Sequence, residues 1–182
     1  AAIPLIFGVQ QISEGFVWVA LQSSGHDLML NISMYIFLVA ALIVWPSVLP
    51  LSVLAMEKVK NRRLALYFLL VVGLLTSVYY GMSLLLNDVE PRIISHHIKY
   101  APEFPRPLSL PVFIAYLIAT LSPLFISSVR KMWIFGLLVT ASCLITGIFF
   151  KEFLASVWCF FAALISAVIW LIVRDQKLKL KV

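Results

Sequence analysis

The chain is poor in charge and poor in familiar motifs. Of its 182 residues only 12% are charged and 63% are hydrophobic, and mean hydropathy is +1.05. Ordinary soluble domains carry about 25% charged residues, so this composition points to an integral membrane protein. There is no Gly-x-Ser-x-Gly, Walker A, Gly-x-Gly-x-x-Gly or His-Glu-x-x-His pattern. The common signatures of hydrolases, nucleotide-binding proteins and zinc proteases are therefore missing. No lysine sits in mid-span to carry retinal, because Lys151 falls at a turn. No basic segment precedes the first apolar run and no small-residue cleavage pattern follows it, so that run is not read as a signal peptide. Residue 1 is Ala, which suggests a chain that begins part-way into a longer protein or has been processed.

Cysteine is scarce too. Cys143 and Cys159 each lie within an apolar segment and are expected as buried thiols packing like small hydrophobes. They flank the Lys151–Glu152 turn at similar distances. A disulfide between them would need matching rotation as well as matching depth. The formal charge of +6 does not indicate nucleic acid, because most basic residues sit in short clusters between apolar runs, where orientation signals belong.

What is abundant is long apolar sequence. Six spans are expected, at about 1–21, 28–56, 64–86, 111–128, 132–150 and 153–173, in a single all-α transmembrane helical domain. The second is too long for a straight crossing of a ~30 Å hydrocarbon core. Pro46 and Pro50 are expected to kink or end it near Trp45, leaving the remainder near the interface. Between the third and fourth spans lies a long polar loop, 87–110, whose prolines at 91, 102, 105 and 107 exclude a long regular helix. Within it, the mixed apolar and basic stretch 92–100 is expected to lie on the membrane surface.

Orientation follows from counting. Ten of the fourteen Lys and Arg lie after spans two and four and in the tail 174–182. The positive-inside rule then makes the tail cytoplasmic in the inner (plasma) membrane and puts loop 87–110 outside. Trp18 and Trp158 are expected at the outer interface, and Trp45, Trp133 and Trp170 at the inner one.

The first span carries the main anomaly. At about 100° per residue, Gln10, Gln11, Glu14 and Trp18 share one wedge with Ile3 and Phe7. Hydrocarbon offers such groups no partner, so the stripe must face protein or water. Gly8 and Gly15, on an adjoining face, would permit close approach by a neighbouring helix. In depth, Asn31, Tyr79 and Tyr80 match Glu14, and with Gln10 and Gln11 they are expected to line a pocket open to the outside. Glu14 is read as a proton or cation site. The plainer alternative is a carboxyl that locks helices together through its amide neighbours.

His26, His96 and His97 lie on the same side, with Asp27, which is also a plausible N-cap for span two. Zinc or another metal takes His and carboxylate ligands, but the spacing lacks paired histidines on a helix, and a solvated or interfacial role is the plainer reading. No cofactor is otherwise indicated.

Three stretches carry a resemblance: 8–18 with its Gln-Gln-x-x-Glu-Gly core, the Trp45-Pro46 pair with Pro50, and 156–163 with Ser-Val-Trp-Cys-Phe-Phe. They resemble an uncharacterised family of small multi-pass prokaryotic membrane proteins whose full-length members begin Met-Cys-Phe-Ser and add one more helix. The resemblance implies seven helices in the whole protein, an external N-terminus, and no known activity. Three function classes remain open. The first is binding or transport of a small solute, cation or proton through the polar pocket. The second is a non-catalytic subunit of a larger membrane complex, with other subunits or a second copy as partners besides the lipid bilayer. The third is a membrane-embedded metal enzyme.

Overall fold

The computed structural model describes the backbone of residues 3–23, 25–94, 96–101, 106–129 and 131–179. Side chains are described in the same stretches except at 101, 106–109, 151 and 167–179. Pro102, Glu103, Pro105, Arg130 and Lys181 therefore lie outside the described residues, as do the side chains of Arg106, Pro107, Lys151, Trp170, Arg174, Lys177 and Lys179.

All six apolar stretches are helical. They form α1 (Ile3–Gln22), α2 (Asp27–Met56), α3 (Lys60–Leu86), α4 (Arg106–Ile126), α5 (Met132–Phe149) and α6 (Leu154–Lys179). Four of them, α1, α2, α3 and α5, are long and apolar enough to cross a membrane. The described apolar parts of the other two, Leu110–Ile126 and Leu154–Ser166, are shorter. Consecutive helices pack side by side, and α6 returns against α1 to close a ring. The ring buries Phe7, Trp45, Leu49, Tyr80, Tyr116, Leu124, Phe135 and Trp158 in one apolar cluster. Its outer surface is as apolar as its interior. Leu5, Ile12, Leu64, Phe68, Leu75, Leu85 and Ile148 are all more than 60% exposed, an excess of apolar side chains that water would not tolerate over so wide a surface.

The prolines of α2 do not end the helix. Pro46 and Pro50 are buried, and the segment Trp45–Met56 packs into the bundle against α3 and α4 instead of lying at an interface. The chain accommodates them by widening to a π-helical turn over Ala40–Val44, where the Trp45 N–H reaches back to the Ala40 carbonyl. In that register the next donor would be the nitrogen of Pro46, which has no hydrogen. The Ala41 carbonyl is instead met from α4 by the Tyr116 hydroxyl at 2.6 Å. The Ile43 carbonyl accepts from Ser77 Oγ on α3 at 2.7 Å. Pro50 likewise removes the donor for the Pro46 carbonyl, and Gly73 of α3 packs so tightly there that a Cβ would overlap the Pro46 oxygen. The Tyr116 hydroxyl thus supplies the donor that Pro46 removes, as apolar surroundings require.

This close approach at Gly73 contrasts with Gly8 and Gly15. Both are exposed, and a Cβ on either would meet nothing within 4 Å, so among the described residues no helix comes close against that face. Trp45 and Trp158 are buried in the ring, at 3% and 8% exposure, with Trp45 turned toward Gln10 and Trp158 toward Tyr116. Trp133 is exposed.

The loop after α3 contains structure that the sequence reading did not anticipate. Glu90–Ile94 (β1) and His97–Ala101 (β2) pair antiparallel, with Arg92 opposite Lys99 and Ile93 opposite Ile98. His96 takes a left-handed conformation at the turn, with φ of 66°. The stretch 92–100 thus falls within a β-hairpin. It docks on the bundle end, where Ile98 is fully buried and joins Val17, Met34, Phe37, Leu84 and Cys159 in a second apolar cluster.

Candidate functional site

The polar stripe of α1 faces the bundle. Gln10, Ser13 and Glu14 are buried together with Ile3, Phe7 and Val17, one continuous helix face. Gln11 sits half-buried at its edge. Three elements meet at Glu14, which is 6% exposed. From α1, Gln11 lies beside the carboxyl, and from α6 so does Ser156. Cys159 of α6 neighbours both Glu14 and Gln10. From the hairpin, Tyr100 stacks on Phe37 with ring centroids 5.2 Å apart and brings its phenol toward Glu14. Burial first, and then the Glu14 carboxyl, push the Tyr100 hydroxyl well above the usual phenol range, so it remains a neutral group.

Hydrogen bonding within this cluster is incomplete. Gln10 Oε1 accepts from the Trp45 indole N–H at 2.7 Å, which fixes the amide and leaves its Nε2 donor facing the interior. Gln10 Nε2, Gln11 Nε2, Glu14 Oε1 and the Tyr100 hydroxyl are all buried with no hydrogen-bond partner in the chain. Folded proteins pair nearly every buried polar atom, and each orphan carries a cost of about 1–3 kcal/mol. Four of the unpartnered buried atoms thus lie on neighbouring side chains, while Tyr79, Thr140 and Trp158 carry others elsewhere among the described residues.

The remaining residues expected in the pocket separate. Tyr80 is buried in the aromatic core, edge-on to Tyr116 at 6.0 Å. Tyr79 lines a different feature, an apolar groove of about 270 Å3 between α3 and α4 formed with Val72, Leu75, Thr76, Pro111, Val112 and Ala115. Asn31 is exposed on the outward face of α2. The structure therefore joins Gln10, Gln11 and Glu14 to Tyr100, Ser156 and Cys159, three partners not singled out from sequence beside Glu14. Tyr100 was visible only as the end of an amphipathic stretch, and its meeting with Glu14 depends on the hairpin.

The candidate metal ligands do not converge. His26 and Asp27 are exposed at the start of α2, where His26 rather than Asp27 is the N-cap residue, without a side-chain cap bond, and Asp27 lies in the first turn. His96 is exposed at the hairpin turn, and His97 rests against the rings of Phe150 and Phe153 at 5.1 and 5.0 Å. Among the described residues no three His, Cys, Asp or Glu side chains are grouped to hold a metal. Cys143 and Cys159 are both free and buried.

Glu57, at the opposite end, is a second buried carboxylate that the sequence reading passed over. It is 1% exposed and follows directly on α2. Its oxygens accept from the Lys58 and Val59 N–H groups at 3.0 and 2.9 Å. They also accept from the Ser128 N–H at 2.7 Å and its hydroxyl at 2.8 Å. Although burial opposes the charge, these hydrogen bonds outweigh it and lower the Glu57 pKa to about 2. Arg63 meanwhile donates to the carbonyls of Leu54 and Glu57. Glu57 is fully satisfied and ties the end of α2 to the start of α3 and the end of α4, a structural role. One signal was available in the sequence: an acidic residue standing between a proline-interrupted helix and a basic cluster.

No curated protein and no solved structure matches the chain. A family model does match, over residues 1–181, and the chain belongs to that family, a family of unknown function (DUF6629).

Proposed function

We propose that this is a multi-pass membrane protein that binds a proton, a cation or a small polar solute at Glu14. The observation that carries the reading is the set of unpartnered buried atoms on Gln10, Gln11, Glu14 and Tyr100. A carboxyl within an apolar bundle that served only to lock helices would have its oxygens paired by the neighbours that surround it. Gln11 and Ser156 lie within reach of the Glu14 carboxyl and Gln10 lies beside the Cys159 thiol, yet Glu14 Oε1 and both amide nitrogens lack a hydrogen bond of good geometry. Glu14 is the group that changes charge, Gln10 is held by Trp45 to orient it, and Gln11 and Ser156 flank it. Transport follows if the site opens alternately, and the π-turn of α2 next to Gln10's partner Trp45 is the part of the bundle able to change register. The distribution of Lys and Arg supports the inner membrane, with the hairpin outside and the C-terminus in the cytoplasm.

The test is purification in mild detergent, reconstitution into liposomes and measurement of proton flux for the native protein and for Glu14→Gln. Flux that disappears in the variant, while the variant purifies and melts as the native protein does, supports the reading. Equal flux in both sinks it. Stoichiometric metal in the purified protein would favour a metal enzyme, and copurifying subunits an assembly role.

A further inference from the structure

The cluster around Glu14 is covered at one end of the bundle, and what covers it is the hairpin. Ile98 is fully buried against Val17, Met34 and Phe37, and Tyr100 stacks on Phe37 with its hydroxyl toward Glu14. The inner face of β2 is thus the roof of the site. The hairpin is two strands only, too small to be stable by itself, so its position depends on what it touches. Toward the turn before α6, its contacts among the described residues include an ion pair and aromatic packing. Lys99 Nζ meets Glu152 Oε2 at 2.8 Å across the gap to the turn before α6, and Glu152 is 62% exposed. His97 leans on Phe150 and Phe153 of the same turn.

We propose that this hairpin is a plug over the Glu14 site, latched by the Lys99–Glu152 ion pair, and that it must lift for the site to exchange with water on that side. Well-packed apolar roof residues and a solvent-exposed latch divide the labour: the first seals, the second sets how often the seal opens. A plug has a purpose only if Glu14 binds a ligand or proton as proposed above.

The two native cysteines allow a direct test. Cys159 lies under the hairpin in the cluster with Ile98, whereas Cys143 packs in the other cluster, away from it. The protein is treated in detergent with a water-soluble maleimide, and modification of each cysteine is followed in time by mass spectrometry. In Glu152→Lys, which turns the latch into a repulsion, Cys159 should react about two- to fivefold faster than in the native protein, the range an exposed ion pair supports. Cys143 should react at its native rate. The double variant Lys99→Glu with Glu152→Lys restores an attractive pair and should return Cys159 to its native rate. An unchanged Cys159 rate in Glu152→Lys overturns the plug. So does a parallel rise at both cysteines, which would report general loosening, and so does failure of the charge swap to restore protection. Labelling reads access alone, so these outcomes are independent of whether Glu14→Gln abolishes flux.

Discussion

Replacing Glu57 by Gln should destabilise the protein at neutral pH and remove most of its sensitivity to acid in one step. The carboxylate accepts four hydrogen bonds, two of them from Ser128 at 2.7 and 2.8 Å. Glutamine keeps one acceptor oxygen and replaces the other with an NH2 group, which would face a donor. Hydrogen bonds to charged groups contribute about 1.5–3 kcal/mol each, and a donor left unpaired costs about 1–3 kcal/mol. Lys58, Val59 and Ser128 are exposed enough for water to take over part of this work, so the net loss is about 2 kcal/mol. The change in proton affinity on folding gives a similar figure. Folding lowers the carboxyl from 4.5 to about 2. A depressed acid contributes stability that is fully present above its unfolded pKa and lost as pH falls through its folded pKa. The window is therefore pH 4.5 down to about 2. The full shift corresponds to at most about 3.4 kcal/mol, reduced to about 2 by solvent screening. The assay is thermal unfolding of the detergent-solubilised protein, native and Glu57→Gln, at pH 7 and at steps between pH 5 and pH 2.5. The native protein should melt higher at pH 7, and the two curves should converge toward the acid end. Equal melting at pH 7, or parallel loss of stability in both proteins below pH 4.5, would refute the assignment of Glu57 as the tie between α2, α3 and α4.

Other outcomes follow from single contacts. Gly73→Ala should lower stability by at least about 3 kcal/mol or prevent accumulation of folded protein, since the obstacle is the Pro46 backbone rather than a side chain that can turn. Gly8→Ala and Gly15→Ala, facing open space, should be neutral or stabilising by up to about 1 kcal/mol in the same melting assay. Tyr116→Phe should cost about 1 kcal/mol, because it strips the Ala41 carbonyl of the donor that replaces the missing Pro46 N–H. Trp45→Phe keeps the stacking with Phe7 but releases Gln10 Oε1. Alongside any small loss of stability, it should weaken whatever flux Glu14 supports, measured in the same liposomes as Glu14→Gln.

Much of the helical architecture was legible because long apolar runs obey a simple rule. An apolar run of about 20 residues has few alternatives to a helix when its backbone cannot hydrogen-bond to its surroundings. Hence six apolar stretches gave six helices, with ends within a few residues of expectation except at α3 and α4, which begin at Lys60 and Arg106, and at α6, which runs on to Lys179. The inward orientation of Gln10 and Glu14 was legible for the same reason, since a helix face with two polar groups four residues apart has only one tolerable direction.

Tertiary structure alone decided the rest. Whether Pro46 ends a helix depends on whether another helix offers a donor to the carbonyl it orphans, and Tyr116 lies 75 residues from the Ala41 carbonyl it serves. Whether a glycine is a contact point depends on which way its face turns: Gly73 meets backbone, while Gly8 and Gly15 meet nothing among the described residues. Tyr79 and Tyr80 were expected beside Glu14, but rotation about α3 sends one to an apolar groove and the other into the core. Sequence thus determined which segments are helices and which face of α1 is buried, because those depend on local pattern and the surrounding solvent. Which side chains meet Glu14 depends on a ring closed between α1 and α6 and on a hairpin folded over its end. Those contacts join residues more than 80 positions apart, and no local period encodes them.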